Sequence, residues 1–333
     1  MRFAPSVFVH LVVAFFLTCC CGSGAAQSPR ALTLANEYPA TSLPGEGDTA
    51  FAARITALTS GRVEIRTLFD AKSGFKSADQ LVAVRDGRVD LADSFAGALG
   101  AHDALFLLSA LPFLTTGDDD AKRLYDLARP QYEAALARFN QKLLFATPWP
   151  PSGIWAKVSM ASPADLTGLK LRTYDATSTD LFARVGAVPA NLSFNDLIPK
   201  IKSGDIDAAL SSGDGGAGRK LWEYLDHFTA IEYAIPLSLV TMNLEIWRSL
   251  DAETQSAFTK AAAETEASQW ESARRRVDEN YARMRDNRMT IVTDVSPALR
   301  SKLNEASADA IGAWAARTES GKAVLERFRA GRR

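Results

Sequence analysis

Residues 84–92 read VRDGRVDLA, and residues 201–209 read IKSGDIDAA. In each, the apolar end of a helix meets a glycine at the position where a helix C-terminus favours positive φ. A β-branched residue, an Asp and small residues then open a buried strand. Working outward from the first copy gives strand LTLANE (32–37), a Pro/Gly loop over 39–47 and a helix from about Asp48 burying Phe51, Ile55 and Leu58. Strand VEIRTL (63–68), a helix with capping box Ser77-x-x-Gln80 and strand VDLADS (89–94) follow. Around the second copy lie strand LKLRTY (169–174), a helix with capping box Thr177-x-x-Asp180, strand AVPANL (187–192), a helix with capping box Ser193-x-x-Asp196 and strand IDAALSS (206–212). The order β-α-β-α-β, met twice, predicts an α/β chain of two similar lobes built on mostly parallel sheets. Ligands favour the cleft between such lobes.

The connections predict a hinge. Residues 110–119 break at Pro112 and Gly117 and lead into helices near 118–128 and 131–141, then strand KLLFATP (142–148). PWPPSGIWAKVSM (148–160) opens the second lobe, and AIPLSLVTMN (234–243) reads as a strand returning to the first. Lobe I is expected over 27–148 with returning segments from about 235–333, and the lobe II core over 149–234. Two or more crossings behave as a hinge rather than a tether. From Asp251 to about Arg288 the pattern is a long helix, before strand TIVTDV (290–295) and a final helix capped by Ser296 with Pro297 at its first position.

Composition removes several function classes. Lys+Arg 38 against Asp+Glu 39 gives a net charge of −1, so no basic surface for nucleic acid is implied. Residues 1–26 have Arg2 as their only charge, an apolar run over 7–17 and Gly24-Ala25-Ala26 as a small-residue exit, which predicts a cleaved secretory signal peptide and a periplasmic protein. Cleavage after Ala26 would remove Cys19, Cys20 and Cys21, all the cysteine the chain has. Thiol chemistry and Cys-ligated metal are then excluded, and His102 and His227 lack partners at ligand spacing, so neither metal nor cofactor is expected. No nucleophile elbow, P-loop or dinucleotide fingerprint occurs; Ser211-Ser212-Gly213-Asp214-Gly215-Gly216 lacks a phosphate-loop Lys.

One cation stands out. Arg172 sits near the C-terminal end of the first strand of its βαβ unit, where open parallel sheets hold ligands, and a guanidinium matches a carboxylate in bidentate geometry. DLTGLKLRTYDATSTDLFARVGAVPANLSFNDLIPKIKSGDIDAAL (165–210), with ITALTSGRVEI, LVAVRDGRVDLADS, LSALPFL and MNLEIWRSLDAETQSAF, resembles the DctP-type substrate-binding proteins of TRAP transporters over about 31–315. The resemblance implies a two-lobed periplasmic-binding-protein fold with a hinge and long C-terminal helices. It also implies a receptor that closes on an organic acid, gripped by the LKLR arginine, and delivers it to integral membrane permease subunits.

Where relatives often carry a second Arg, this chain has Trp155, which with Trp149 predicts a monocarboxylate with an apolar or aromatic side group in preference to a C4-dicarboxylate. Where many relatives carry a Glu or Asn that touches ligand or a cation, it has Ser211 and Ser212, both expected to line the cleft. Tyr38 and Phe95 join them by strand-end position, Trp149 by its place between the lobes, and Asn243 as a donor on the strand preceding a helix. No pair of titratable groups suited to acid/base catalysis can be named, so a monomeric transport receptor is expected rather than an enzyme. A ligand sensor serving a signalling partner, or less favourably an extracytoplasmic enzyme, is the alternative.

Overall fold

A computed structural model describes residues 1–2 and 29–331; the predicted signal peptide lies almost wholly outside the described residues. The first sheet contains β1 (Arg30–Asn36), β2 (Val63–Leu68), β3 (Leu91–Phe95), β4 (Gln141–Pro148) and β10 (Leu237–Asn243), in the order β2-β1-β3-β10-β4. The second contains β5 (Ser152–Ala156), β6 (Lys170–Thr173), β7 (Val188–Asn191), β8 (Ala208–Ser212), β9 (His227–Thr229) and β11 (Thr290–Val292), in the order β11-β9-β5-β8-β6-β7. In the first sheet β10 runs antiparallel to both its neighbours, and in the second β5 does the same. Each is the first strand after the chain crosses from the other lobe.

The repeated helix-glycine-strand junction has one physical cause. Helix α2 (Ser77–Arg85) ends at Gly87, φ 68°, and α5 (Leu197–Lys202) at Gly204, φ 77°. In both, the residue after the glycine donates its N–H five residues back: Arg88 to Ala83 at 2.8 Å, Asp205 to Lys200 at 3.0 Å. This Schellman closure satisfies carbonyls the helix leaves open and aims the chain into β3 or β8.

The hinge is a pair of antiparallel segments. Trp149 N–H donates to Pro236 O at 2.8 Å, Ser152 N–H to Ala234 O at 2.9 Å and Tyr233 N–H to Ser152 O at 2.8 Å. Helix α8 (Ala252–Asp286) is a third connection. It packs on α1 (Leu43–Leu58) and β4 in the first lobe and on α6 (Gly213–Gly218) and β11 in the second. Residues 235–333 therefore do not all return to the first lobe: β11 pairs with β9, and α9 (Pro297–Ala315) packs on α4 (Ala176–Arg184). A further helix, α10 (Glu319–Ala330), lies back on α3 (Asp118–Arg138) of the first lobe.

Several local expectations are revised. Helix α1 begins at Leu43, not Asp48, because Ser42 caps Gly45 N–H and Pro44 fits the first turn, where a missing N–H costs nothing. Helix α3 runs unbroken through Pro130, held by Tyr125, Ala128 and Tyr132 buried on its inner face. The cap of α4 is Asp175, not Thr177, with Ser178 completing a capping box. Ser77 is the first residue of α2 rather than its cap: its N–H donates to Glu37 and its Oγ accepts from Phe95 N–H.

Candidate ligand-binding site

The C-terminal ends of β1, β3, β6, β7 and β8 point at one another across the interlobe space. A small cavity between them is lined by Tyr38, Phe95, Trp149, Ser152, Arg172, Tyr174, Phe194, Ser211, Ser212, Gly215 and Pro236. Tyr38 and Phe95 come from the first lobe, Trp149 and Pro236 from the hinge strands, and the rest from the second lobe. Six of the expected residues, Arg172, Ser211, Ser212, Tyr38, Phe95 and Trp149, thus meet around one space.

Arg172 is 3% exposed. Its Nε donates to Leu192 O at 3.0 Å and its Nη1 to Leu210 O at 2.9 Å, so the ends of β7 and β8 fix the side chain. Two of the five guanidinium N–H groups are used, and the Nη1/Nη2 edge keeps donors for a carboxylate. The rings of Phe194 and Tyr174 lie 5.5 and 5.9 Å from its Cζ. Burial lowers its pKa, while the neighbouring Tyr38 and Glu37 act in the opposite direction. A buried cation without a direct carboxylate partner is costly, and an anionic ligand would relieve that cost.

The aromatic wall joins the lobes. Tyr38 lies 4.7 Å from Trp149 and 5.4 Å from Phe194, ring centre to ring centre, and Phe95 lies 5.1 Å from Tyr174. Asn36 Oδ1 accepts Tyr38 N–H at 2.7 Å, which fixes the backbone that carries the Tyr38 ring. Trp149 Nε1 donates to Ser238 Oγ at 3.2 Å and Tyr174 Oη to Ser152 Oγ at 3.3 Å, so both large rings are oriented by polar anchors.

Two expected site residues are elsewhere. Trp155 is fully buried in the second lobe: the period of two along β5 puts it on the face opposite Ser152, against Phe228 at 5.4 Å. Its Nε1 donates to Ser212 O, and a Cβ at Gly216 would lie 2.0 Å from its ring, so this glycine is required by close packing. Trp155 is core and gives no information about the ligand. Asn243 stands at the far end of β10, where its Oδ1 caps α7 (Leu244–Ser249) through Glu245 and Ile246 N–H and its Nδ2 donates to Val84 O. Ser152, Tyr174, Phe194, Gly215 and Pro236 were not anticipated. The strand-end position that singled out Arg172 also marks Tyr174, two residues further on, and Phe194 just past β7.

The model for the bacterial extracellular solute-binding proteins of family 7, DctP, matches residues 34–317. The chain belongs to this family. Among solved structures, the DctP-family chain is similar to DctP7, a Bordetella pertussis extracytoplasmic solute receptor binding pyroglutamic acid, with 28% identity and a TM-score of 0.86 over 90% of this chain and 99% of that one. It is similar to the same degree, 28% identity and TM-score 0.86, to a marine metagenome TRAP solute-binding protein specific for pyroglutamate, over 91% of this chain and 99% of that one. A succinate-bound TRAP solute-binding protein from Sulfurospirillum deleyianum shares the fold at 17% identity and TM-score 0.83, over 91% of this chain and 99% of that one. The two-lobed periplasmic-binding-protein fold with long C-terminal helices is therefore shared across this DctP family.

Proposed function

We propose that this DctP-family protein captures a small monocarboxylate, with pyroglutamate the leading candidate, and delivers it in the periplasm to TRAP permease subunits. The observation that carries the reading is Arg172, buried in an aromatic cavity with its outer N–H edge unused by the protein. It is the one cation among the lining residues, so a single carboxylate is matched and a second would lack a partner. Tyr38, Phe95, Trp149 and Phe194, rather than Trp155, supply the apolar wall. The hydroxyls of Ser152, Ser211 and Ser212 suit the ring amide of a compact lactam acid. The narrowness of this space favours a small ligand over a long-chain one.

A thermal-shift panel of pyroglutamate, proline, succinate, branched-chain acids and a neutral lactam tests the reading. It predicts the largest rise in Tm for a cyclic or compact monocarboxylate and none for the neutral lactam. A rise confined to succinate would overturn the monocarboxylate assignment.

A further inference from the structure

Asp175 is 1% exposed and stands three residues beyond Arg172, as the cap of α4. Its Oδ1 accepts Ser178 N–H at 2.7 Å and Ser178 Oγ at 2.8 Å, while its Oδ2 is buried with no hydrogen-bond partner. What covers Oδ2 is the opposite lobe. A Cβ built on Gly97, in the turn after β3, would lie 3.0 Å from Asp175 Oδ2 and 2.6 Å from the Phe95 ring. A carboxylate oxygen is thus shielded from water beside the first lobe without gaining a hydrogen bond from it.

We propose that Asp175 is a proton site coupled to ligand capture, taking up a proton at Oδ2 as the lobes close on an anion. Two effects act in the same direction. Closure desolvates the carboxylate against Gly97, and a ligand carboxylate on Arg172 cancels the cation that helps keep Asp175 ionised. The charged and titratable groups around it are few. Beside Ser178 and Thr177 on its own helix stand Arg172 from β6, Tyr174 just past it, and Tyr233 from the hinge segment. Gly97 and Phe95 add no charge, and Arg317 and Glu37 border the neighbouring outer cleft without pairing with it. Burial raises the Asp175 pKa to about 6 in this arrangement, with the Ser178 and Thr177 N–H groups and Arg172 opposing.

The sign follows from linkage. A carboxyl group whose pKa is higher in the closed, loaded form than in the open form binds protons on loading, so affinity rises as pH falls through that value. With the Asp175 carboxyl raised to about 6 in the closed form, binding should tighten several-fold between pH 7 and pH 5. The inference rests on the organic-acid reading only for the negative charge of the ligand. The probe is pyroglutamate if it binds, and otherwise the acid giving the largest thermal shift, so a wrong ligand identity does not decide the proton question. Calorimetry at pH 6.0 in buffers of different ionisation enthalpy, on the wild type and Asp175→Asn, counts protons directly. Asn keeps a cap acceptor for Ser178 and cannot titrate. Uptake of a substantial fraction of one proton by the wild type, lost in Asp175→Asn together with most of the pH dependence of Kd, is the expected result. No uptake by the wild type, or equal uptake by both proteins, overturns the proposal.

Discussion

Lys76 of the first lobe and Asp196 of the second pair across the cleft, with Nζ 2.8 Å from both carboxylate oxygens. The hydrogen bond to Asp196 raises the Lys76 pKa, and the same bond lowers that of Asp196. Both side chains remain over a third exposed, so solvent and salt screen the pair. Lys76→Ala should weaken ligand binding by no more than about five-fold, corresponding to about 1 kcal/mol for an exposed pair, mainly through faster dissociation. Surface-plasmon resonance at low and high salt checks this, and the effect should vanish at high salt.

Closure itself has a measurable size. Ring contacts such as Phe95 with Tyr174 and Tyr38 with Phe194 bridge the lobes, and a ligand touching both sides favours the form in which they meet. Small-angle scattering should show a smaller radius of gyration with saturating ligand than without. An unchanged profile at proven saturation would remove the hinge from the account.

Trp155 separates stability from recognition. Trp155→Phe loses the bond to Ser212 O and part of the packing against Gly216 and Phe228, which should cost about 1–3 kcal/mol of stability. Affinity should stay within about three-fold of wild type, because the ring does not reach the cavity. Urea unfolding and calorimetry on the same variant check both halves.

Asp48 and Asp93 form a second titrating unit, inside the first lobe. Both are buried, Asn36 Nδ2 donates to Asp48 Oδ2 at 2.7 Å and to Asp93 Oδ2 at 3.4 Å, and no cation pairs with either among the described residues. Burial pushes Asp48 well above the usual carboxyl range and Asp93 to about 7. The folded pair therefore holds protons that the unfolded chain has released. Stability should fall as pH rises from about 4 to 7, with a slope of on the order of 1.4 kcal/mol per pH unit for each retained proton. Urea unfolding between pH 5 and 8 should show this slope, reduced in Asp93→Asn.

The strands and the two-lobe plan were legible because period-two apolar runs and glycine-terminated helices are local signals. VRDGRVDLA and IKSGDIDAA differ in most residues, yet Gly87 and Gly204 close their helices with the same hydrogen bonds. Helix ends were less legible. Ser77 and Thr177 have the right chemistry for caps, but Glu37 from another element takes the N–H of Ser77, and Asp175 outcompetes Thr177. Two helices are expected near 118–128 and 131–141, yet burial of Tyr125, Ala128 and Tyr132 keeps a single helix running through Pro130. In the site, strand-end position found Arg172, Ser211, Ser212, Tyr38 and Phe95. It failed for Trp155, whose face depends on the register of β5, and for Asn243, which lies at the wrong end of an antiparallel strand. Tyr174 and Phe194 follow from the same strand-end rule, whereas Ser152 becomes visible only when the two lobes are set against each other.

The most direct test of the central claim is titration calorimetry of pyroglutamate, or the tightest acid in the panel, into the wild type and Arg172→Ala. The account predicts one site per chain in the wild type. Loss of a charge-assisted contact of about 1.5–3 kcal/mol predicts at least a ten-fold weaker Kd in the variant. Circular dichroism confirms that the variant is folded. Equal affinity in a folded Arg172→Ala protein would contradict the assignment of the buried guanidinium as the carboxylate anchor.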